Sequence, residues 1–406
     1  MDIVVQKYGG SSVSTTDKIK MVAEEIKKSK EESKEVVVIV SAMGDTTDEL
    51  LDLASSVSDK PDSRELDMLL NTGEQVSIAL LTMALQNLGC KAVSLTGAQL
   101  HLETTSSHQK ARIKDIDLSR IKKELNQGRI VVVAGFQGVT EKEEYTTLGR
   151  GGSDTSAVAL AAKLEAKCEI YTDVEGIYTC DPGLLPGARK LNHTSYEELI
   201  EMASLGAEVI HPRAVELAQK YQVPLYIAES CSQVEGTTIN GNIDYLEASL
   251  VTGMAVNRDD IQITLRDLEA DSQVLADVFN SLAEAEINVD MISQLLDKSG
   301  RMNLSFTIPG IDIEKARELI LHNRKVWGLS DWWVRSEVVK VSVVGPGMRT
   351  QPGVAARVFR LLANSNTPIL MVTTSEIKIS WLVPAGYEER AVQVIGNDFG
   401  LTVKKE

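Results

Sequence analysis

Along the first 240 or so residues the hydrophobic pattern switches repeatedly between two kinds of run. Short apolar stretches at Ile3–Val5, Val36–Val40, Ala92–Leu95, Ile130–Ala134, Glu169–Thr172 and Leu225–Ala228 read as strands. Val36–Val40 is apolar at every position, as expected of a parallel strand covered on both faces. Between these runs the period lengthens. Ile19, Val22, Ala23 and Ile26 share one face of a helix predicted from about Thr16 to Lys30. Further helices are predicted over about 47–57, over 63–88 with a break at Thr72-Gly73-Glu74, and over 157–162, 196–202 and 212–221. Lys110–Leu125, with alternating charge, reads as a solvated arm and helix, and Glu141–Thr147 as a hairpin or flap. Strands alternating with helices predict a doubly wound α/β sandwich.

After the polar, turn-rich passage Gly236–Tyr245 the pattern repeats itself. Val274, Ala276, Val278, Phe279, Leu282, Ala283 and Met291 recur as Val354, Ala356, Val358, Phe359, Leu362, Ala363 and Met371, always 80 positions on (359 − 279). Each copy reads strand, polar loop, amphipathic helix, strand, which predicts two small α+β modules serving regulation rather than a second catalytic core. The boundaries expected are 1–240 for the α/β domain, 241–253 for a linker, and 254–335 and 336–406 for the modules, with terminal strands open to exchange between them.

Composition narrows the function. The 58 acidic residues outnumber the 42 basic ones, for a net charge of −16. That argues against a general nucleic-acid or membrane-surface binder, and an anionic substrate must be met by local positive charge. A first strand starting almost at residue 1, with no basic leader, and the lack of a membrane-length apolar run point to a protein without a membrane partner. Cys90, Cys168, Cys180 and Cys231, and the five scattered histidines, follow neither a disulfide nor a metal-ligand spacing. This usage suits a reducing cytoplasm.

Candidate chemistry gathers at strand ends. Thr147–Ala157 sets Arg150 among three glycines and follows it with Ser153, Asp154, Thr155 and Ser156 ahead of an Ala-rich helix. Glycines expose N–H groups at a helix start, an arginine grips a carboxylate in bidentate fashion, and an aspartate suits an ammonium or a lysine that must be aimed. The stretch fits a small molecule carrying both charges, such as an amino acid. Lys7-Tyr8-Gly9-Gly10-Ser11-Ser12 is a strand, Gly-Gly turn and helix start, an anion site in logic, though without the Walker sequence. Ser41–Asp48 and Asp173 also fall at strand ends, where open α/β sheets hold ligands. Tyr178 offers a flat face to a base, and Glu74 is an acid inside an apolar helical pattern.

Together these segments resemble aspartate kinases over essentially the whole chain, closest to the monofunctional bacterial enzymes with two C-terminal ACT modules. The resemblance rests on Lys7–Ser12, Ser41–Leu50, Thr72-Gly73-Glu74, Gly135-Phe136-Gln137-Gly138, Gly149–Ala157, and Tyr171-Thr172-Asp173 through Asp181-Pro182. In the tail it rests on Ile287–Met291 and Thr374–Ile377. It implies the amino-acid-kinase α/β/α sandwich followed by two ferredoxin-like ACT modules. It also implies ATP- and Mg²⁺-dependent phosphorylation of the L-aspartate β-carboxylate, the first step toward lysine, threonine and methionine. By the same resemblance, Lys7 with the Gly9 and Gly10 amides stabilises the transferred group, and Tyr8, Ser11, Thr172, Asp173, Tyr178, Asp181 and Pro182 complete a nucleotide site. Arg150 holds the substrate α-carboxylate, Glu74 and Asp154 serve its amino group and the charge network, and Ser41, Thr47, Gly151, Gly152 and Ser153 line the substrate side. Effector contacts are carried to Asn288, Val289, Asp290, Gln294, Gln351, Pro352, Gly353, Val354, Thr374, Ser375 and Glu376.

The resemblance further implies lysine or threonine as effector and a homo-oligomer joined through the ACT modules. In some relatives a segment like that beginning at Met254 is also made separately as a small subunit. Three departures bear on it. Gly183 follows Asp181-Pro182 where many relatives have arginine, Glu208 replaces a lysine of some relatives, and the first ACT loop, Asp267–Ser272, lacks the Pro-Gly of the second. No carboxylate cluster identifies itself as a set of Mg²⁺ ligands. A non-catalytic amino-acid sensor that keeps the kinase fold, and a kinase acting on glutamate, are the alternatives.

Overall fold

A computed structural model of the chain describes residues 3–32, 34–205, 209–241, 250–298, 300–351 and 353–403. Glu208 and Pro352, both singled out above, lie outside the described residues. The chain divides into two compact units: Met1–Ile177, Lys190–Ser204 and Glu208–Asp244 in one, and Tyr178–Arg189, Leu205–Ala207 and Tyr245–Glu406 in the other.

The first unit is built on an eight-stranded sheet. Its order is His193–Thr194, Thr237–Ile239, Leu225–Glu229, Lys167–Thr172, Ile3–Tyr8, Glu35–Val40, Ile130–Ala134, Ala92–Leu95. All neighbours run parallel except Thr237–Ile239 against Leu225–Glu229. Tyr8 stands in register with Val40 on one side and Tyr171 on the other, and Val40 with Ala134. The turns after four central strands therefore leave the sheet at one level, and this common edge positions the site.

Helix Thr16–Glu31 buries Ile19, Val22, Ala23 and Ile26, the face predicted from their spacing. Helix Ser63–Asn87 runs unbroken through Gly73, against the expected interruption. A helical glycine costs about 1 kcal/mol, but here it allows close approach: a Cβ on Gly73 would lie 3.0 Å from that of Ala42. Among the described residues this is the one helix long and apolar enough to cross a bilayer, and it buries Leu66, Leu70, Ile78, Leu81 and Leu85 in the protein interior. The predicted flap is a small sheet ordered Ile113–Ile116, Leu102–Thr104, Gln137–Val139, Tyr145–Thr147. The arm expected to be solvated supplies one of these strands and a helix, Ser119–Leu125, that buries Ile121 and Leu125. The helix expected from Ala157 starts five residues earlier, at Gly152, so Ser153–Ser156 lie within its first turns.

The second unit holds two four-stranded antiparallel sheets, ordered Ile292–Leu296, Arg301–Pro309, Asp260–Glu269, Asp331–Arg335 and Gly253–Asn257, Val338–Val344, Lys378–Pro384, Met371–Thr374. The repeated positions occupy equivalent places: Val278 and Leu282 on helix Ser272–Glu284, like Val358 and Leu362 on helix Val354–Asn364, are buried. Strands are exchanged. Gly253–Asn257, which the expected boundaries place at the end of the linker and the start of the first module, pairs with Val338–Val344 of the second, an exchange the sequence left open. The first module takes its fourth strand from its own end, Asp331–Arg335. The matching strand of the second module comes from the start of the unit, because the chain has no further strand after its last helix, Glu388–Asp398, among the described residues.

Candidate functional site

At the common sheet edge Lys7, Gly10, Ser41, Ala42, Gly44, Thr47, Glu74, Phe136 and Gly149–Asp154 line a cleft of about 300 Å³. Lys7, one residue before the end of its strand, is 9% exposed, and its Nζ lies 2.7 Å from Asp154 Oδ1. Asp154 is in the first turn of helix Gly152–Leu164, where a helix N-terminus favours a carboxylate. Its Oδ2 accepts the His211 amide at 3.4 Å. Gly151 caps the helix with φ +66°, and a Cβ there would fall 2.1 Å from that of His211. No other residue type fits both demands.

Glu74 projects from the unbroken helix into the same cleft and is 3% exposed. Its Oε1 accepts the Ala42 N–H at 3.2 Å, while Oε2 is buried without a hydrogen-bond partner. Burial pushes this carboxyl up to about 7, against the lowering effect of the Ala42 amide and the Gln137 side chain. Glu74 lines the cleft, and a buried carboxylate there with one oxygen unpaired is suited to an incoming ammonium group. Of the other lining residues Arg150 is exposed, and Ser41 and Thr47 are half-buried.

A second hollow, of about 210 Å³, lies beside the Gly9–Ser12 turn and is lined by Ser11, Ser12, Lys18, Met21, Thr172, Asp173, Glu229, Ser230 and Cys231. The structure thus brings Ser11, Thr172 and Asp173 together, and adds Lys18, whose Nζ donates to the Ser11 carbonyl at 2.8 Å. Lys18 lies eleven residues after Lys7, on a helix face that reads as solvated, and sequence reasoning passed over it. Tyr8 is buried and stacks on Tyr171 at 4.9 Å, so it forms the floor of the turn. One expectation needs correction: the Gly9 N–H is donated to the Tyr171 carbonyl at 3.2 Å and is not held ready for a ligand. Tyr178, Asp181 and Pro182 fall in the other compact unit, and the structure does not group them with Thr172 and Asp173. There Asp181 Oδ1 accepts the Gly183 N–H at 2.8 Å. Among the described residues no group of three or more His, Cys, Asp or Glu is arranged to hold a metal.

In the second unit Asn288 and Val289 lead to Asp290, and Gln294 lies on the exposed edge strand Ile292–Leu296. Thr374 ends the other edge strand, Met371–Thr374, and is followed by Ser375 and Glu376. Gln351 is exposed, Gly353 caps helix Val354–Asn364 with φ +103°, and Val354 is buried. A residue no motif announced joins the two modules. Lys340, 3% exposed, pairs with Asp260 at 2.5 Å and with Asp290.

Comparison with known proteins identifies the family. Residues 2–229 match the amino acid kinase family, and residues 266–323 and 341–399 each match the ACT domain. The aspartokinase of Geobacillus stearothermophilus is 47% identical over 402 residues, covering 99% of this chain and 98% of that one. Aspartokinase III of E. coli in complex with aspartate and ADP (R-state) has a TM-score of 0.82 at 24% identity, over 98% of this chain and 99% of that one. The same enzyme in complex with lysine and aspartate (T-state) gives 0.79 at 24% identity, over 98% and 100%. The chain therefore belongs to the aspartokinase family, an amino-acid-kinase domain followed by ACT domains that together form an aspartate-phosphorylating enzyme.

Proposed function

We propose that the cleft around Lys7, Glu74 and Arg150 takes L-aspartate, that the hollow at Ser11, Lys18 and Thr172 takes ATP, and that the phosphoryl group crosses between them at the Gly9–Ser12 turn. The observation that carries this reading is that the two hollows meet on that one turn, Gly10 lining the first and Ser11 the second. The β-carboxylate of aspartate has a solution pKa of about 3.9, so it is already a nucleophile at neutral pH and needs no general base. The obstacle is the approach of two anions, which positioning and fixed positive charge overcome. Arg150 grips the α-carboxylate in bidentate fashion and Glu74 Oε2 receives the ammonium. Lys7, aimed by Asp154, faces the oxygens on which charge builds. Ser41, Thr47 and Ser153 complete the substrate wall.

The donor set suits a metal that arrives with its nucleotide, since Asp173 and Glu229 are the carboxylates lining the second hollow and, among the described residues, no group of three or more such ligands is arranged to hold a metal. Mg²⁺ bound to the phosphates supplies charge neutralisation there. A coupled assay with Mg-ATP tests the reading: ADP release with aspartate and not with glutamate is expected. Nucleotide binding without turnover would instead make the chain a sensor.

In this reading the ACT modules take lysine, threonine or both. The E. coli enzyme in complex with lysine supports the former. The effector binds more tightly to an inactive arrangement and shifts the population toward it. Assembly is as a homo-oligomer through these modules, in the cytoplasm. Initial rates with lysine, threonine and both together test the regulation, and sedimentation of the full chain tests the assembly.

A further inference from the structure

The approach to Arg150 is held by two charged residues that no motif marks. Asp67, on helix Ser63–Asn87, is fully buried, yet its carboxylate collects contacts from three residues on two segments. Thr147 Oγ1 donates at 2.7 Å, the Gln109 N–H at 3.1 and 3.2 Å to the two oxygens, and His108 Nδ1 lies at 2.8 Å. From the far side comes Arg213, half-buried at the start of helix Pro212–Tyr221. Its guanidinium donates to the Leu148 carbonyl at 2.8 Å and to the Ala111 carbonyl at 2.9 Å. The backbone between them is tied down as well: the Ala111 N–H donates to Thr147 O, and the Leu148 N–H to Phe136 O. Gly149 passes the Gln109 carbonyl so closely that a Cβ would come within 2.8 Å of it.

Burying charge is costly, and an apolar core at such a place stabilises a fold at least as well. What hydrogen bonds of fixed geometry add is location, and here they act on Thr147 and Leu148, immediately before the loop that carries Arg150. The same Arg213 helix reaches the other end of that loop. His211, its N-cap, accepts the Arg213 N–H at 3.2 Å and donates its own amide to Asp154. A small displacement of the loop moves Arg150 and Asp154 together.

We propose that Asp67 and Arg213 are positioning residues that set the Thr147–Asp154 segment for the amino-acid substrate, Asp67 through Thr147 and Arg213 through Leu148. The proposal rests on the reading of the cleft as the aspartate site. It is tested by steady-state kinetics and thermal unfolding of the full chain carrying Thr147→Val, Thr147→Ser, Arg213→Lys or Asp67→Asn. Thr147→Val and Arg213→Lys are expected to raise KM for aspartate about tenfold, within the range that sub-ångström misplacement produces. KM for ATP should stay within about twofold. Thr147→Ser, which keeps the hydroxyl, should restore the parent value, and Asp67→Asn should act in the same direction.

Equal effects on both substrates, or a lowered Tm with an unchanged aspartate KM, would overturn the proposal. If Asp67→Asn does not fold, the Thr147 and Arg213 variants decide by themselves. Arg150→Ala run in parallel separates the two levels. If it raises the aspartate KM while the clamp variants do not, the proposal fails and the cleft stands. If it also has no effect, the assignment of the cleft fails first.

Discussion

Lys7 Nζ and Asp154 Oδ1 lie 2.7 Å apart, although one is the penultimate residue of a strand and the other sits in the first turn of a helix 147 positions later (154 − 7). Both side chains are about 10% exposed, so the pair is shielded from solvent and salt. The contact aims the lysine and leaves its remaining N–H donors for a ligand.

Lys7→Ala is expected to lower kcat by about 10²- to 10³-fold, the loss that follows removal of one aimed donor from a developing charge. Far-UV circular dichroism should stay at the parent spectrum, since the strand's register rests on backbone bonds. A near-normal rate would remove Lys7 from the chemistry.

Arg150→Ala should raise the aspartate requirement much more than the ATP requirement, because Arg150 lines the first hollow. Separate KM determinations for the two substrates check this. The reverse pattern would assign Arg150 to the nucleotide.

Glu74 links binding to pH. Its carboxyl titrates at about 7 because of burial, and it must be ionised to receive an ammonium. KM for aspartate should therefore rise as pH falls from 8 to 6, and Glu74→Gln should bind weakly with that dependence gone. The same shift acts on stability. The folded value lies above the ordinary 4.5, so the group favours folding in its protonated form; that contribution is full below pH 4.5 and is lost as pH rises through about 7. Glu74→Gln should thus be more stable than the parent at pH 8, by at most roughly 3 kcal/mol, and indistinguishable from it near pH 4.5. Denaturant melts at the two pH values measure the difference.

Lys340 holds two carboxylates from the neighbouring module. Burial works to depress its ammonium, but Asp260 and Asp290 outweigh burial and hold it above the ordinary lysine range. Lys340→Met leaves Asp260 buried without its partner and should destabilise the second unit by about 3 kcal/mol. Adding Asp260→Leu should restore much of that loss. Because Asp290 is an expected effector contact, Lys340→Met should also change inhibition by the effector while leaving the aspartate and ATP KM values in its absence unchanged. An unaltered inhibition curve would confine Lys340 to stability.

Much of this protein is local, and what is local was legible. Val36–Val40 could only be a strand covered on both faces, Ile19 to Ile26 could only form one helical face, and the 80-residue repeat revealed two like modules. Burial of apolar side chains imposes those periods on any sequence that folds this way. That Lys7, Gly10, Arg150 and Asp154 share one cleft was legible too, because glycines next to charges gather at strand ends.

What escaped was decided by partners distant in sequence. Whether Gly73 breaks its helix depends on Ala42, and whether the Gly9 amide is open depends on Tyr171. Asp67, Asn71 and Glu74 form a polar stripe at helical spacing that was visible in principle, but the role of Asp67 exists only once Gln109 and Thr147 are folded against it. The exchange of a terminal strand was open from sequence, but that Gly253–Asn257 is the strand that joins the second module is settled only by its pairing with Val338–Val344. Sequence determined which segments are strands, helices and ligand-facing turns, since those follow from each segment's own side chains. Only the tertiary structure decided which buried charges meet, because a charge in the interior takes its meaning from the group opposite it.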